Sequence, residues 1–303
     1  MPKRIRFLTL SLGLAACALL VSAGCGDETA RHPVWAELVA STDTARMGEP
    51  FEVGVLLKID PEWHVYWKYS GDAGLPTDIR WTVPDGWSVG ELQWPIPTRF
   101  VENGPLTTYG YVDSVLLTAE VRPPDNIEPG AAVRLGAQVN WMVCHDECIP
   151  GKATLTLDLP MAGVHSLSVQ TSTHALRFRA LQELLPVASD RAGWSAQAEL
   201  SPDSTNDKAM IVTLYLSSPE VAAKDVLDWF PSPSPSLLVK RVNRRVEDGV
   251  FAVSFSLQSM FGSAGTGEMF ESLLVYRDKS GRERGVRVVT PLGVESVPQA
   301  AIP

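Results

Sequence analysis

The chain has 303 residues, 26 Lys and Arg against 35 Asp and Glu, and a formal net charge of −9. An acidic surface of this kind is a poor nucleic-acid binder, because phosphate binding rests on clustered Lys and Arg. Four cysteines and five histidines leave few residues able to carry redox or metal chemistry.

The first element is a leader. Lys3, Arg4 and Arg6 precede an apolar run over residues 7–23, followed by Ala23-Gly24-Cys25 and then Gly26-Asp27-Glu28. A basic n-region, an apolar h-region and small residues at the cut are the marks of a secretory signal. The cysteine after the small residues points to lipoprotein processing, with residues 1–24 removed and Cys25 lipidated. Leu14-Ala15-Ala16-Cys17 is a competing site, but cutting there would leave Ala18-Leu19-Leu20-Val21 at the mature terminus. An uncleaved N-terminal anchor is the third reading, since the run approaches the roughly 17-residue minimum for a span. No other apolar stretch is long enough to cross a bilayer. Export predicts an oxidising compartment.

Residues 25–34 read as a tether. Strands are predicted from Phe51 to Leu57, Ile79 to Val83, Val115 to Val121, Val133 to Trp141 and Ala153 to Leu159. They alternate apolar and polar residues and stop at Pro84-Asp85-Gly86, Pro123-Pro124 and Pro160, which argues for a sandwich. Ala175, Leu176, Phe178, Leu181, Leu184 and Leu185 then follow helical spacing, with Ser172 or Thr173 as cap and Pro186 as stop. Further strands are expected at Trp194–Leu200, Ala209–Leu216, Leu237–Val242, Val250–Leu257, Leu273–Tyr276 and Val286–Val289. Pro231-Ser232-Pro233-Ser234-Pro235-Ser236 reads as a stiff loop, and residues 262–267 as a flexible one. The prediction is an all-β chain: a redox domain over 35–162, a linker helix within 163–189, a second β-rich domain over 190–296 and a tail over 297–303. The second domain offers no cysteine or histidine.

Cys144-His145-Asp146-Glu147-Cys148 is the one constellation with chemistry. With Cys17 lost and Cys25 lipidated, these two cysteines remain, four apart. So short a ring removes little entropy from the unfolded chain, so a structural role for a disulfide here is weak. In a helical turn, positions i and i+4 hold Cβ atoms about 5–6 Å apart, whereas a disulfide needs them nearer 4 Å. A modest adjustment would close the bond, and local bridges of this type are the labile, reactive ones. His145, when protonated, would lower a thiol pKa, while Asp146 and Glu147 would raise it. Two other readings stay open. Cys144, His145 and Cys148 are soft donors for copper or zinc, with His64 or Met142 completing the set; or the bridge is inert. Trp63-His64-Val65-Tyr66-Trp67 places His64 and Tyr66 on one strand face. With Tyr109 and Tyr111 they could line a polar aromatic wall beside the cysteines; ordinary cross-strand packing is the alternative.

Four blocks in order carry a resemblance: Trp63 through Thr77, Gln93-Trp94-Pro95, Tyr109-Gly110-Tyr111, and Trp141 through Pro150. Over about residues 35–160 the chain resembles the periplasmic N-terminal domain of the DsbD/ScsB thiol:disulfide interchange proteins, a group tied to cytochrome c biogenesis. The copper-tolerance-associated ScsB-like branch is the nearest in pattern. The resemblance implies an immunoglobulin-like fold and no cofactor beyond the redox-active disulfide. It implies that the pair takes electrons from a membrane domain and passes them to periplasmic thioredoxin-like proteins. Cys148 would then be the partner-facing cysteine and Cys144 the resolving one, with His64 and Tyr66 flanking the pair. The segment Arg99–Thr108 matches a cap loop, here Phe100-Val101-Glu102-Asn103-Gly104-Pro105, without the acidic-acidic-Phe tip of the best-known members. No membrane domain follows in this sequence, so the expected electron donor is a separate membrane protein, with the lipid anchor holding the chain at the periplasmic face of a bacterial membrane. The runner-up function is a copper or zinc binding protein built on Cys144, His145 and Cys148. A third is an interaction module with idle thiols.

Overall fold

A computed structural model describes residues 31–101, 104, 106–125, 132–162, 172–260 and 268–293. The leader with Cys17 and Cys25, the expected flexible loop at 262–267 and the tail at 297–303 lie outside these residues, as do Glu102, Asn103 and Pro105 of the expected cap. Among the described residues no helix is long and apolar enough to cross a membrane.

Among the described residues the first domain has ten strands: β1 (Val34–Ala40), β2 (Phe51–Ile59), β3 (His64–Gly71), β4 (Asp78–Thr82), β5 (Ser88–Val89), β6 (Thr98–Val101), β7 (Thr107–Tyr111), β8 (Ser114–Arg122), β9 (Ala132–Cys144) and β10 (Cys148–Pro160). They form two sheets, ordered β1-β2-β8-β5 and β10-β9-β3-β7-β6. The long β9 pairs with β10 along one edge; along the other it meets β3 near Cys144 and β4 lower down. Val55, Leu57, Val115 and Leu117 of one sheet close a core with Val65, Trp67, Val139, Trp141 and Val143 of the other. This is the β-sandwich that the alternation predicts. The expected tether gives way to strand at Val34, because Val34, Leu38 and Ile59 are apolar enough to enter this core.

Helix α1 (Ala175–Leu184) matches the expected segment and ends before Pro186. His174 takes the cap position, and Ser172 Oγ accepts the His174 backbone N–H at 3.1 Å. The helix buries Phe178 and Leu181 against Val39, Leu56 and Leu116, on the outer face of the first sheet. That explains why β2 reads as a nearly unbroken apolar run: both its faces are covered. Leu176, expected on the apolar stripe, is exposed.

The second domain adds β11 (Val187–Ala188), β12 (Ser195–Pro202), β13 (Ala209–Ser217), β14 (Val226–Ser232), β15 (Leu237–Glu247), β16 (Val250–Ser259), β17 (Glu268–Arg277) and β18 (Glu283–Leu292). Its sheets run β11-β18-β17-β14 and β12-β13-β16-β15. Pro231 and Ser232 are not loop, as expected, but the end of β14, which pairs on one side only, with β17. An edge is where a strand tolerates a proline. The core gathers Trp229, Phe255 and Phe270 in a stack with Leu214, Val253 and Val286.

The two domains share apolar packing. Phe230, Leu273 and Val275 belong to the first domain's core, where Phe230 lies edge-on to Trp67 and Tyr109 at 6.1 and 5.3 Å. A side-chain carbon added at Gly285 would sit 2.9 Å from the Ile96 side chain, which packs directly on the Gly285 backbone. Lys68 pairs with Glu271 across the same seam.

Candidate functional site

Cys144 and Cys148 are directly opposed across the β9–β10 hairpin, with His145-Asp146-Glu147 as its loop. The helical turn expected for this pair is therefore absent. Here i and i+4 meet because a three-residue hairpin loop puts them opposite one another, with Cα atoms 4.2 Å apart, close to the narrow pair of an antiparallel ladder. The two sulfurs are bonded to one another.

The two cysteines differ in exposure. Cys144 is 3% exposed, whereas Cys148 is open to solvent. Alternation explains the buried one. Trp141 and Val143 point into the sandwich, so Cys144 points to the outer face of its sheet, where β3 sends His64 and Tyr66. His64 stands opposite Cys144 in register. The Tyr66 hydroxyl donates to Cys144 Sγ at 2.9 Å and lies 3.9 Å from Cys148 Sγ. His64 meets Tyr66 edge-on at 5.1 Å and stacks on Phe100 at 4.5 Å. The described part of the expected cap thus reaches the site through Phe100.

The loop after β3 fixes the tyrosine. Gly74, at φ +83°, lies so close to the Tyr66 ring that a side-chain carbon there would be 2.1 Å from it. Ser70 donates to the Gly74 carbonyl at 3.1 Å, and Thr77 to the Tyr66 carbonyl at 3.3 Å. Asp72 ties the loop to β7 by accepting the Thr107 N–H at 2.9 Å. Sequence reasoning did not single out Gly74, Asp72 or Thr77 as site residues. Their signal was available in Gly71-Asp72-Ala73-Gly74, whose glycines need a reason.

Tyr109 and Tyr111 do not join this wall. Tyr66 pairs with Gly110, so the flanking tyrosines turn to the opposite face. Tyr111 is core, its hydroxyl donating to the Pro95 carbonyl at 2.9 Å, and burial pushes its phenol well above the ordinary range. Tyr109 faces Phe230 and Arg99 at the domain seam, and burial raises its phenol too. His145 is exposed on the hairpin loop, 3.5 Å from Asp146 and 5.8 Å from the Trp63 ring. Among the described residues no group of three or more His, Cys, Asp and Glu side chains is arranged to hold a metal ion.

Residues 36–160 match the family model of Thiol:disulfide interchange protein DsbD, N-terminal. Among solved structures, the chain is similar to the N-terminal periplasmic domain of ScsB from Proteus mirabilis, at 18% identity and TM-score 0.62, over 85% of this chain and 94% of that one. This likeness is one of fold, and it extends over both β-rich domains. Two others are the periplasmic chaperone SfaE (8% identity, TM-score 0.22, 85% of this chain and 100% of that one) and a conserved domain protein from Bacillus anthracis (10%, 0.24, 86% and 88%). Such low scores carry no argument. No curated protein matches the sequence. With a Cys144–Cys148 disulfide at the tip of its β9–β10 hairpin, the segment 36–160 is a DsbD-type N-terminal domain, the class found in thiol:disulfide interchange proteins.

Proposed function

We propose that the chain is a periplasmic electron carrier, working by thiol–disulfide exchange between a separate membrane reductase and thioredoxin-like partners. The observation that carries this reading is the asymmetry of the pair. Cys148 is exposed, and Cys144 is buried with a hydroxyl donor on its sulfur. A donor dithiol, as thiolate, attacks Cys148 Sγ. The Cys144–Cys148 bond breaks, a mixed disulfide forms at Cys148, and Cys144 leaves as a thiolate. That charge develops at the sulfur that already accepts the Tyr66 O–H, which lowers the cost of the leaving group. The donor's second thiol then attacks its own sulfur, leaving the donor oxidised and Cys148 free. Two electrons now reside on the dithiol. In the forward transfer Cys148 attacks a partner disulfide and Cys144 resolves the mixed disulfide. Tyr66 is thus assigned as a catalytic residue, and His64, Gly74 and Phe100 as positioning residues.

The leader and Cys25 support export and attachment to the periplasmic face of a membrane by lipid. The periplasmic origin of the ScsB domain agrees with that compartment.

The test has two arms. Titration of the purified soluble protein against redox buffers should give a potential in the range of exchange proteins, roughly −120 to −270 mV. A value well below about −300 mV would mark a stable bridge and sink the reading. Cys144→Ser should trap a mixed disulfide with a thioredoxin-like protein through Cys148, whereas Cys148→Ser should trap far less.

A further inference from the structure

The second domain grips a strand that reaches the site. Arg99 lies on β6. Its Nε donates to Asp228 Oδ2 at 2.9 Å, and its Nη2 to Asp228 Oδ1 at 2.6 Å and to the Trp229 carbonyl at 2.7 Å. The guanidinium also lies over the rings of Tyr109 and Phe230, at 5.2 and 5.4 Å. Arg244 of the second domain holds the same Asp228 carboxylate from its own side. Both partners of the Arg99–Asp228 pair are largely buried, with side chains 18% and 20% exposed. This is a fork-to-fork pair, whose planar geometry fixes orientation as well as position.

The next residue on β6 is Phe100. The pleat sends it to the opposite face from Arg99, and there it stacks on His64, the register neighbour of Cys144. One short strand therefore carries both contacts. Among the described residues it spans four and pairs with β7 alone, so its own ladder holds it weakly.

The geometry points to a regulatory role for the second domain: through Asp228 and Arg99 it positions Phe100 over His64 and so sets access to the buried Cys144 sulfur. This rests on the exchange reading above, since it assigns control of the same site. Any reagent that reaches the Cys144 sulfur must displace β6, and the clamp sets the cost of lifting it. A docking event that displaces Asp228 would open the site from the far domain.

The test follows thiol labelling, which reports access whether or not the protein carries electrons. In reduced, otherwise intact protein bearing Cys148→Ser, Cys144 is titrated with iodoacetamide. Asp228→Asn should speed its labelling about five- to thirtyfold, the factor that follows from loosening one such contact. Phe100→Ala should do the same. Arg99→Lys, which keeps the charge and loses the fork, should fall between. Val253→Ala, in the second domain's core, serves as a control for general loosening and should leave labelling unchanged. Unchanged labelling in Asp228→Asn and Arg99→Lys overturns the clamp, as does an equal rise in Val253→Ala. Failure of the exchange reading is separate: it shows as a potential below the exchange range while labelling still responds to Asp228.

Discussion

Tyr66 is the side chain on which the proposed chemistry turns, and it owes its position to a residue with no side chain. Its hydroxyl reaches Cys144 Sγ because the ring is pressed under Gly74. Tyr66→Phe removes one hydrogen bond to a sulfur that becomes charged. Bonds to charged groups are worth about 1.5–3 kcal/mol, so reduction by dithiothreitol should slow roughly tenfold or more, with the fold intact. Equal rates for the two proteins would remove Tyr66 from the mechanism. Gly74→Ala drives a methyl into the ring at a left-handed backbone position, and should cost about 1–3 kcal/mol of stability while slowing reduction as Tyr66→Phe does. Thermal unfolding and stopped-flow reduction read the two effects separately. Of these residues, Tyr66 and His64 were legible in the sequence, since alternation puts them on one face. Gly74 was not, because which ring a glycine lies against is a fact of the folded chain.

Among the elements, β15 shows how a strand irregularity builds a polar site inside the second domain. Its register with β16 shifts between Lys240 and Asn243, and Arg241 takes φ +54°. The bulge aims its guanidinium at Asp203, which also accepts the Thr205 hydroxyl at 2.7 Å and the Ser256 hydroxyl at 2.8 Å. The Thr205 hydrogen bonds foremost, then Ser256 and Arg241, hold the Asp203 carboxyl down to about 2. A folded-state value below the unfolded value of roughly 3.9 means that the charged form stabilises the fold. That contribution is present above about pH 4 and is lost as pH falls towards 2. Asp203→Asn should therefore flatten the loss of stability over this window, measured by urea unfolding at a series of acid pH values. A parallel profile for both proteins would contradict the assignment. Helix α1 offers a second check. Phe178 fills the cluster over β2 and β8, so Phe178→Ala should cost about 3–5 kcal/mol in the same assay.

On the scale of the whole molecule, the seam between the domains has an apolar, buried centre beside its ion pairs. Phe230 of β14 enters the first domain's core between Trp67 and Tyr109. Domains joined by a large apolar contact move and unfold together, whereas polar seams let them move apart. Calorimetry should therefore show one cooperative transition over residues 32–293. Phe230→Ala should lower its midpoint, at a cost of about 3–5 kcal/mol, and separate it into two. Two transitions in the unaltered protein would contradict a shared core.

The sequence by itself determined the β class, the strands with clean alternation, the helix before Pro186 and the cysteine pair as the candidate site. Each rests on local pattern: a period of two, a period near 3.6, proline as a stop, and two thiols four residues apart. Tertiary structure decided the rest. It made the pair a hairpin rather than a helical turn, since the pairing of β9 with β10 is not encoded in the three residues between Cys144 and Cys148. It sent Tyr109 and Tyr111 to the core, because strand register sets which face a side chain takes and a shift of one residue reverses it. It also joined Arg99 to Asp228 across 129 positions of chain, a contact that only folding both domains against one another can create.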